Sequence, residues 1–316
     1  MLVQQCAISG TAQTVDLFTR RFLRNPFARH HPRRRLGLEL AEEATYWAIR
    51  DADGGLRTGS VAPEVSLETL VSEQGLEGAR TKVVLGQNQY QIFQAERPNV
   101  EAGELAEAVR WKLGDLLDYP ATEAVIDTFP FPEDASRDRG SLINAVCAHQ
   151  NQIQQIVDIV HEAGLALEAI DIAELALRNL LALDDLEERG AAIVYLGRKN
   201  GHVVFCRGPV LYMARRLDVS HAQLRDAATQ EQTVQDLALE IQRSLDYYES
   251  QLRQIPPPRV QLAGHPEALP LAGMLNSEVT AEVVDLDWSD VFSGITPEPG
   301  SALAAATLLS DDGGAV

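Results

Sequence analysis

Arginine is the residue type whose spacing first suggests chemistry. Arg20, Arg21, Arg24, Arg29, Arg33, Arg34 and Arg35 fall within the first 35 residues, against a single acid, Asp16. Phe18, Phe22, Leu23 and Phe27 interleave with them. Guanidinium groups set among apolar side chains suit an anionic membrane surface, where each cation adds ~1 kcal/mol near the headgroups. A solvated leader that binds nothing fits the same composition. The rest of the chain contains no GxGxxG, Walker A, HExxH or GxSxG motif. Cys6, Cys147 and Cys206 are too widely spaced for a CxxC metal site or a disulfide framework. Cys147 and Cys206 lie in apolar stretches, where cysteine is a small core residue. The seven histidines show no ligand spacing apart from the adjacent His30-His31, which reads as a surface pair. No metal site, hydrolase centre or redox centre is expected.

The elements that must position such residues begin with composition. At 316 residues with 45% apolar content, the chain can bury a core and form two domains. The formal charge is −19, and with +6 in residues 1–35 the remainder carries −25. So acidic a body excludes nucleic-acid binding over its main surface, because phosphate contacts need clustered Lys and Arg. The longest apolar run, Ala302 to Leu309, is far short of the ~20 residues of a membrane helix. No signal-peptide pattern opens the sequence. The expectation is a cytoplasmic protein.

Periodicity then gives an α/β succession. Strands are expected at Leu36–Leu40 and Thr45–Arg50, joined by Ala41-Glu42-Glu43, and at Leu56–Thr58, Thr81–Leu85, Gln89–Gln94, Glu123–Phe129, Leu142–Ala148 and Leu167–Ile172. Helices are expected at Leu67–Gln74, Glu104–Asp118, around Ile153–Val160 with Gly164 as its cap, and at Ala173–Leu183. In Glu104–Asp118 the stripe Leu105, Val109, Leu113, Leu116 and Leu117 faces inward and Trp111 lies opposite. The acidic run from Asp184 to Glu188 reads as a lobe boundary. A second half repeats the pattern with strands at Ala191–Leu196, His202–Cys206 and Val210–Arg215, a helix at Glu231–Gln254, strand Val260–Leu262, a helix near Glu267–Leu275, a strand within Val279–Leu286 and a helix at Ser301–Leu309.

The segments Ala108-Val109-Arg110-Trp111-Lys112-Leu113, Asp118-Tyr119-Pro120, Glu123-Ala124-Val125-Ile126-Asp127 and Phe131-Pro132 carry a family resemblance. So do Ala163-Gly164-Leu165, Ala169-Ile170-Asp171 and Glu240-Ile241-Gln242-Arg243-Ser244-Leu245-Asp246-Tyr247-Tyr248. In this order they resemble the type IV pilus assembly protein PilM, and in particular MshI, its counterpart in mannose-sensitive haemagglutinin (MSHA) pilus systems. The resemblance spans Leu36 to about Leu309 and omits the basic leader. It implies an α/β, bilobed actin-like (ribonuclease H-like) fold with an inserted subdomain of the PilM/FtsA type near residues 87–133. Lobes are then expected over 36–185 and 186–316.

ATP-binding relatives in this superfamily use two phosphate turns, each with an Asp, and a Gly-rich adenosine turn. The corresponding positions here are Gly37-Leu38-Glu39-Leu40-Ala41-Glu42-Glu43, Tyr195-Leu196-Gly197 and Leu262-Ala263-Gly264-His265. Glu39 and Tyr195 replace the two aspartates, Glu42 and Glu43 replace small residues, and His265 replaces a glycine. The expectation is therefore a pseudo-ATPase with no cofactor, in which Gly37, Gly197 and Gly264 serve as turn residues. Arg198 and Lys199 leave weak anion attraction open, and a nucleotide-binding or hydrolysing protein of the pilus platform is the alternative. The resemblance implies binding to the cytoplasmic tail of a PilN-like inner-membrane protein. Arg110, Trp111, Tyr119 and Pro120 are the candidate contact residues, the competing reading being that Trp111 packs beneath a neighbouring strand.

Overall fold

The computed structural model describes residues 34–51, 54–136, 140–181, 189–265, 268–288, 291, 297 and 299–311. The leader through Arg33, the acidic boundary at Asp184–Glu188 and the tail after 311 lie outside the described residues.

Two sheets repeat one topology. In the first, β1 (Arg35–Leu40) pairs antiparallel with β2 (Thr45–Arg50), and β2 with β3 (Leu56–Val61). On its other side β1 runs parallel to β4 (Arg80–Leu85), and β4 parallel to β8 (Ala166–Ile172). The second sheet follows suit. Strand β9 (Ala191–Leu196) pairs antiparallel with β10 (Gly201–Arg207), β10 with β11 (Val210–Leu217), and β9 parallel with β12 (Arg259–Ala263), which continues to β13 (Glu282–Asp285). Central strands of such mixed sheets are covered on both faces, and all six residues of β9 are buried accordingly.

Local chemistry starts and stops the helices. Ser66 caps α1 (Leu67–Gln74) by accepting from the Thr69 amide, and Gly75 closes it at φ 62°. Helix α3 (Gln150–Glu162) buries Ile153, Ile156, Val157 and Val160, and Gly164 exits it at φ +73°. In the second lobe the short α5 (His221–Arg225), which the sequence reading missed, precedes the 21-residue α6 (Gln230–Ser250). Helix α6 packs Tyr248 on Phe205, ring centroids 5.0 Å apart. Helix α7 (Leu271–Leu275) leads to β13.

The lobes exchange helices. All nine residues of α4 (Ala173–Leu181), the helix that leaves β8, are buried, and it packs against β9, β10 and β11 of the second sheet. The terminal α8 (Ala302–Ala306) returns to β1, β2 and β4 of the first. The expected division near residue 185 therefore separates the sheets but not the helices.

Between β4 and β8 sits an inserted three-stranded sheet in the order β5 (Tyr90–Glu96), β7 (Leu142–His149), β6 (Ala124–Pro130). It was expected to close near residue 133. Its central strand instead comes from 142–149, because an antiparallel sheet of β5 and β6 needs an apolar strand between them and Leu142–His149 supplies it. Helix α2 (Leu105–Leu113) covers this sheet with Leu105, Val109 and Leu113, each contributing about 1.5–3 kcal/mol on full burial. The helix was expected to run to Asp118. It stops at Leu113 because Gly114, a poor helix former, opens a 3-10 turn over Gly114–Leu116. The change of pitch turns Leu116 outward to 59% exposure, so Leu116 leaves the buried stripe while Leu117 stays packed on the insert's core.

Candidate functional site

The turn after β1 and the turn after β9 face each other across a cleft of about 210 Å³ between the lobes. Glu39, Glu42 and Glu43 line it from one side, Tyr195, Gly197, Arg198 and Lys199 from the other. Two of the three expected turns thus meet. One cation and two carboxylates pair across the gap. Lys199 Nζ lies 3.0 Å from Glu42 Oε2 and 3.5 Å from Glu43 Oε2, and the hydrogen bond it donates to Glu42 is the main reason its ammonium titrates above the usual range. Arg198 stands over the Tyr46 ring at 5.6 Å from its centroid. Glu39 behaves differently. Burial first, and then the neighbouring Glu43 carboxylate, push its pKa up to about 8, so this side chain is protonated at neutral pH.

The retained glycines answer to close packing. A Cβ on Gly37 would stand 1.9 Å from the Ala304 carbonyl oxygen, because α8 crosses directly over β1. One on Gly197 would come within 2.8 Å of the Asn200 carbonyl oxygen. Gly264 has φ +79°, and a Cβ there would meet the Leu196 carbonyl oxygen at 2.6 Å and the Tyr195 ring at 3.0 Å. The third turn therefore rests on the second through Tyr195. It also borders a separate cavity of about 280 Å³ with His265, Asp285 and Trp288. There His265 Nε2 lies 3.2 Å from Asp285 Oδ1.

Beneath the cleft a buried polar cluster joins the three bodies. The Tyr90 hydroxyl, at the start of the insert, donates to Glu174 Oε2 at 2.5 Å. Glu174 Oε1 is 3.7 Å from His202 Nε2, and the two side chains are 4% and 2% exposed. Gln87 donates to the Gly201 carbonyl oxygen at 3.0 Å and lies 2.9 Å from His202 Nε2. Arg216 donates to the Tyr90 carbonyl oxygen at 3.0 Å and covers the Tyr90 ring. Burial lowers the His202 pKa despite Glu174, so His202 is neutral. Sequence reading missed this cluster and Tyr46. The available signal was Glu174, an acid inside the otherwise apolar start Ala173–Leu177, since a buried carboxylate requires a partner.

The expected contact residues on the insert separate into two pairs. Trp111 is 66% exposed and Pro120 is exposed. Arg110 and Tyr119 do not present a free surface as expected. Arg110 is drawn back to Glu107 at 2.5 Å with its side chain only 16% exposed, and the half-buried Tyr119 sets its ring edge-on to His149, 5.0 Å between centroids. Among the described residues no group of three or more His, Cys, Asp or Glu side chains could hold a metal ion. No described helix is long and apolar enough to cross a membrane.

Two topologically equivalent sheets, helices exchanged between them and a cleft at the crossing define a bilobed actin-like fold with an inserted subdomain. Comparison with solved structures agrees. The PilM–PilN type IV pilus biogenesis complex contains a chain that superposes with a TM-score of 0.68 at 19% identity, over 87% of this chain and 98% of that one. The cytoplasmic domain of EpsL, an inner-membrane component of the type II secretion system of Vibrio cholerae, aligns at TM-score 0.53 and 13% identity, covering 87% of this chain and 94% of that one. A Bacteroides thetaiotaomicron protein described as having an actin-like ATPase fold is a looser likeness, with TM-score 0.47, 10% identity and coverage of 82% and 94%. No protein-family model and no curated protein sequence matches the chain.

Proposed function

We propose that the chain is a non-catalytic assembly factor of an MSHA-like type IV pilus. It acts on the cytoplasmic face of the inner membrane and binds the cytoplasmic tail of a PilN-like protein there. The observation that carries this reading is the match to the chain solved in the PilM–PilN complex, which extends over 87% of this chain and 98% of that one. Loss of catalysis is supported by the cleft. Lys199 is engaged by Glu42 and Glu43, so its charge is not free for a phosphate, and Glu39, Glu42 and Glu43 line the same cleft with carboxyl groups. The residues present do not fit a nucleoside triphosphate. The MSHA assignment rests on the sequence resemblance alone.

Two measurements test the proposal. Capture of detergent-solubilised inner-membrane proteins on the purified chain is expected to retain one bitopic partner through its cytoplasmic tail; recovery of none would remove the reading. Magnesium-dependent ATP turnover is expected to be absent. Turnover that vanished in Glu39→Ala would establish the alternative, a working actin-like ATPase.

A further inference from the structure

Helix α4 carries a charge that its surroundings leave unmatched. All nine of its residues are buried, and Arg178 and Asn179 are only 7% and 8% exposed. The Arg178 guanidinium donates through Nη2 and Nε to a single acceptor, Asn179 Oδ1, at 2.8 and 3.3 Å. Among the described residues it forms no ion pair. Glu174, one turn earlier on the same helix, accepts from Tyr90 and lies 3.7 Å from His202. On β10, burial pushes the Cys206 thiol up to about 12 against the pull of Arg178, so the thiol stays neutral and is no counter-ion. Asn179 Nδ2 is itself buried without a hydrogen-bond partner. Reversing that amide would set its NH2 against two N–H donors, so the guanidinium fixes its orientation. The neighbourhood is otherwise apolar, since Leu177 and Leu181 share one hydrophobic cluster with Ala191, Val204 and Leu211. A guanidinium keeps its proton at any ordinary pH, and a buried charge requires an opposite one.

We propose that Arg178 and Asn179 form a binding site for one small oxyanion, a carboxylate or a phosphate, in the joint between the lobes. The planar guanidinium fork matches two oxygens of such an ion, and Asn179 Nδ2 adds a donor beside it. The depth of both side chains admits an ion and excludes a peptide or a protein surface. Neither residue lines the interlobe cleft or the cavity beside His265, so the site is separate from both. Its position gives occupancy a consequence. Helix α4 leaves β8 of the first sheet and packs on β9, β10 and β11 of the second and on the 3-10 turn Thr307–Asp311. An anion bound there neutralises the charge buried in that junction and stabilises the arrangement of the lobes by mass action. The site does not depend on the proposed pilus role.

The test uses the full chain with sodium formate and sodium phosphate as probes, against sodium chloride at matched ionic strength. The urea midpoint of the parent is expected to rise with formate or phosphate and to saturate. Arg178→Met should not show that rise, and in anion-poor buffer it should be at least as stable as the parent, because the unpaired charge is gone. General salting effects act on both proteins alike, so the difference between them is the readout. Asn179→Ala should bind the anion about tenfold more weakly, having lost one donor to a charged group. Saturation by formate alone or by phosphate alone supports the site and identifies its anion. Parallel midpoints in parent and Arg178→Met, or an equal response to chloride, would overturn the proposal. Calorimetric titration of the parent reads binding without any variant, and no saturable binding of either anion removes the site. If changing Asp184, Asp185, Glu187 and Glu188 to their amides destabilises the parent and leaves Arg178→Met unaffected, the chain supplies its own counter-charge and the proposal fails.

Discussion

The interlobe cleft and the outer face of α2 are both rich in carboxylates, and they treat them in opposite ways. In the cleft, Glu42 and Glu43 meet Lys199 across the gap, and Glu39 takes up a proton. Its glycines sit beneath the backbone or ring atoms of neighbouring segments. On α2, Glu104 and Asp115 stand in solvent beside an exposed Trp111. A region that satisfies its own polar groups has little left to offer a ligand. One that leaves apolar area and charge unmatched has both to give, and the difference separates an inherited cleft from a candidate interface.

The largest effect that would break this contrast concerns its glycines. Gly37→Ala is expected to destabilise the protein by about 3 kcal/mol or more, since its Cβ would collide with the backbone of α8. Gly103→Ala in the insert, where a Cβ would meet nothing within 4 Å, should leave the urea midpoint unchanged. Equal midpoints for the two variants would mean that the cleft glycine is not there for packing.

A smaller effect is electrostatic. Because the folded pKa of Glu39, about 8, lies above the 4.5 of an ordinary glutamate, the folded state holds a proton that the unfolded chain releases. This contribution is fully present below about pH 4.5 and is lost as pH rises toward and through 8, with a slope of at most ~1.4 kcal/mol per pH unit. Partial access of water to the carboxyl group reduces it. Glu39→Gln should flatten that decline and raise stability at pH 8. Parallel pH profiles for parent and variant, followed by denaturant unfolding, would show that the carboxyl group is ionised in the cleft.

The smallest expected effect sharpens the other side. Trp111→Ala should change unfolding stability by no more than about 0.5 kcal/mol, as for other exposed positions. A loss of ~3 kcal/mol would instead identify Trp111 as a packing residue.

Much of the element order was legible in the chain itself, because burial on one face writes a period of two or 3.6 into the side chains. Helix α1 and strand β9 have the bounds expected from their residues, and Gly164, expected as a helix cap, adopts the positive φ of one. The acidic, small-residue-poor turns were visible too, as was an unburied Trp111 opposite the stripe of α2. Tertiary structure alone decided the rest. Periodicity states that a face is buried without naming what buries it, so Leu142–His149 could not be assigned to the centre of the insert, nor α4 and α8 to each other's lobes. Glu174 met Tyr90 and His202, and Lys199 met Glu42 and Glu43, only once segments more than 25 residues apart were brought together. Whether a carboxylate is neutralised or left for a partner depends on the few ångströms around it, and those distances are set by the fold as a whole.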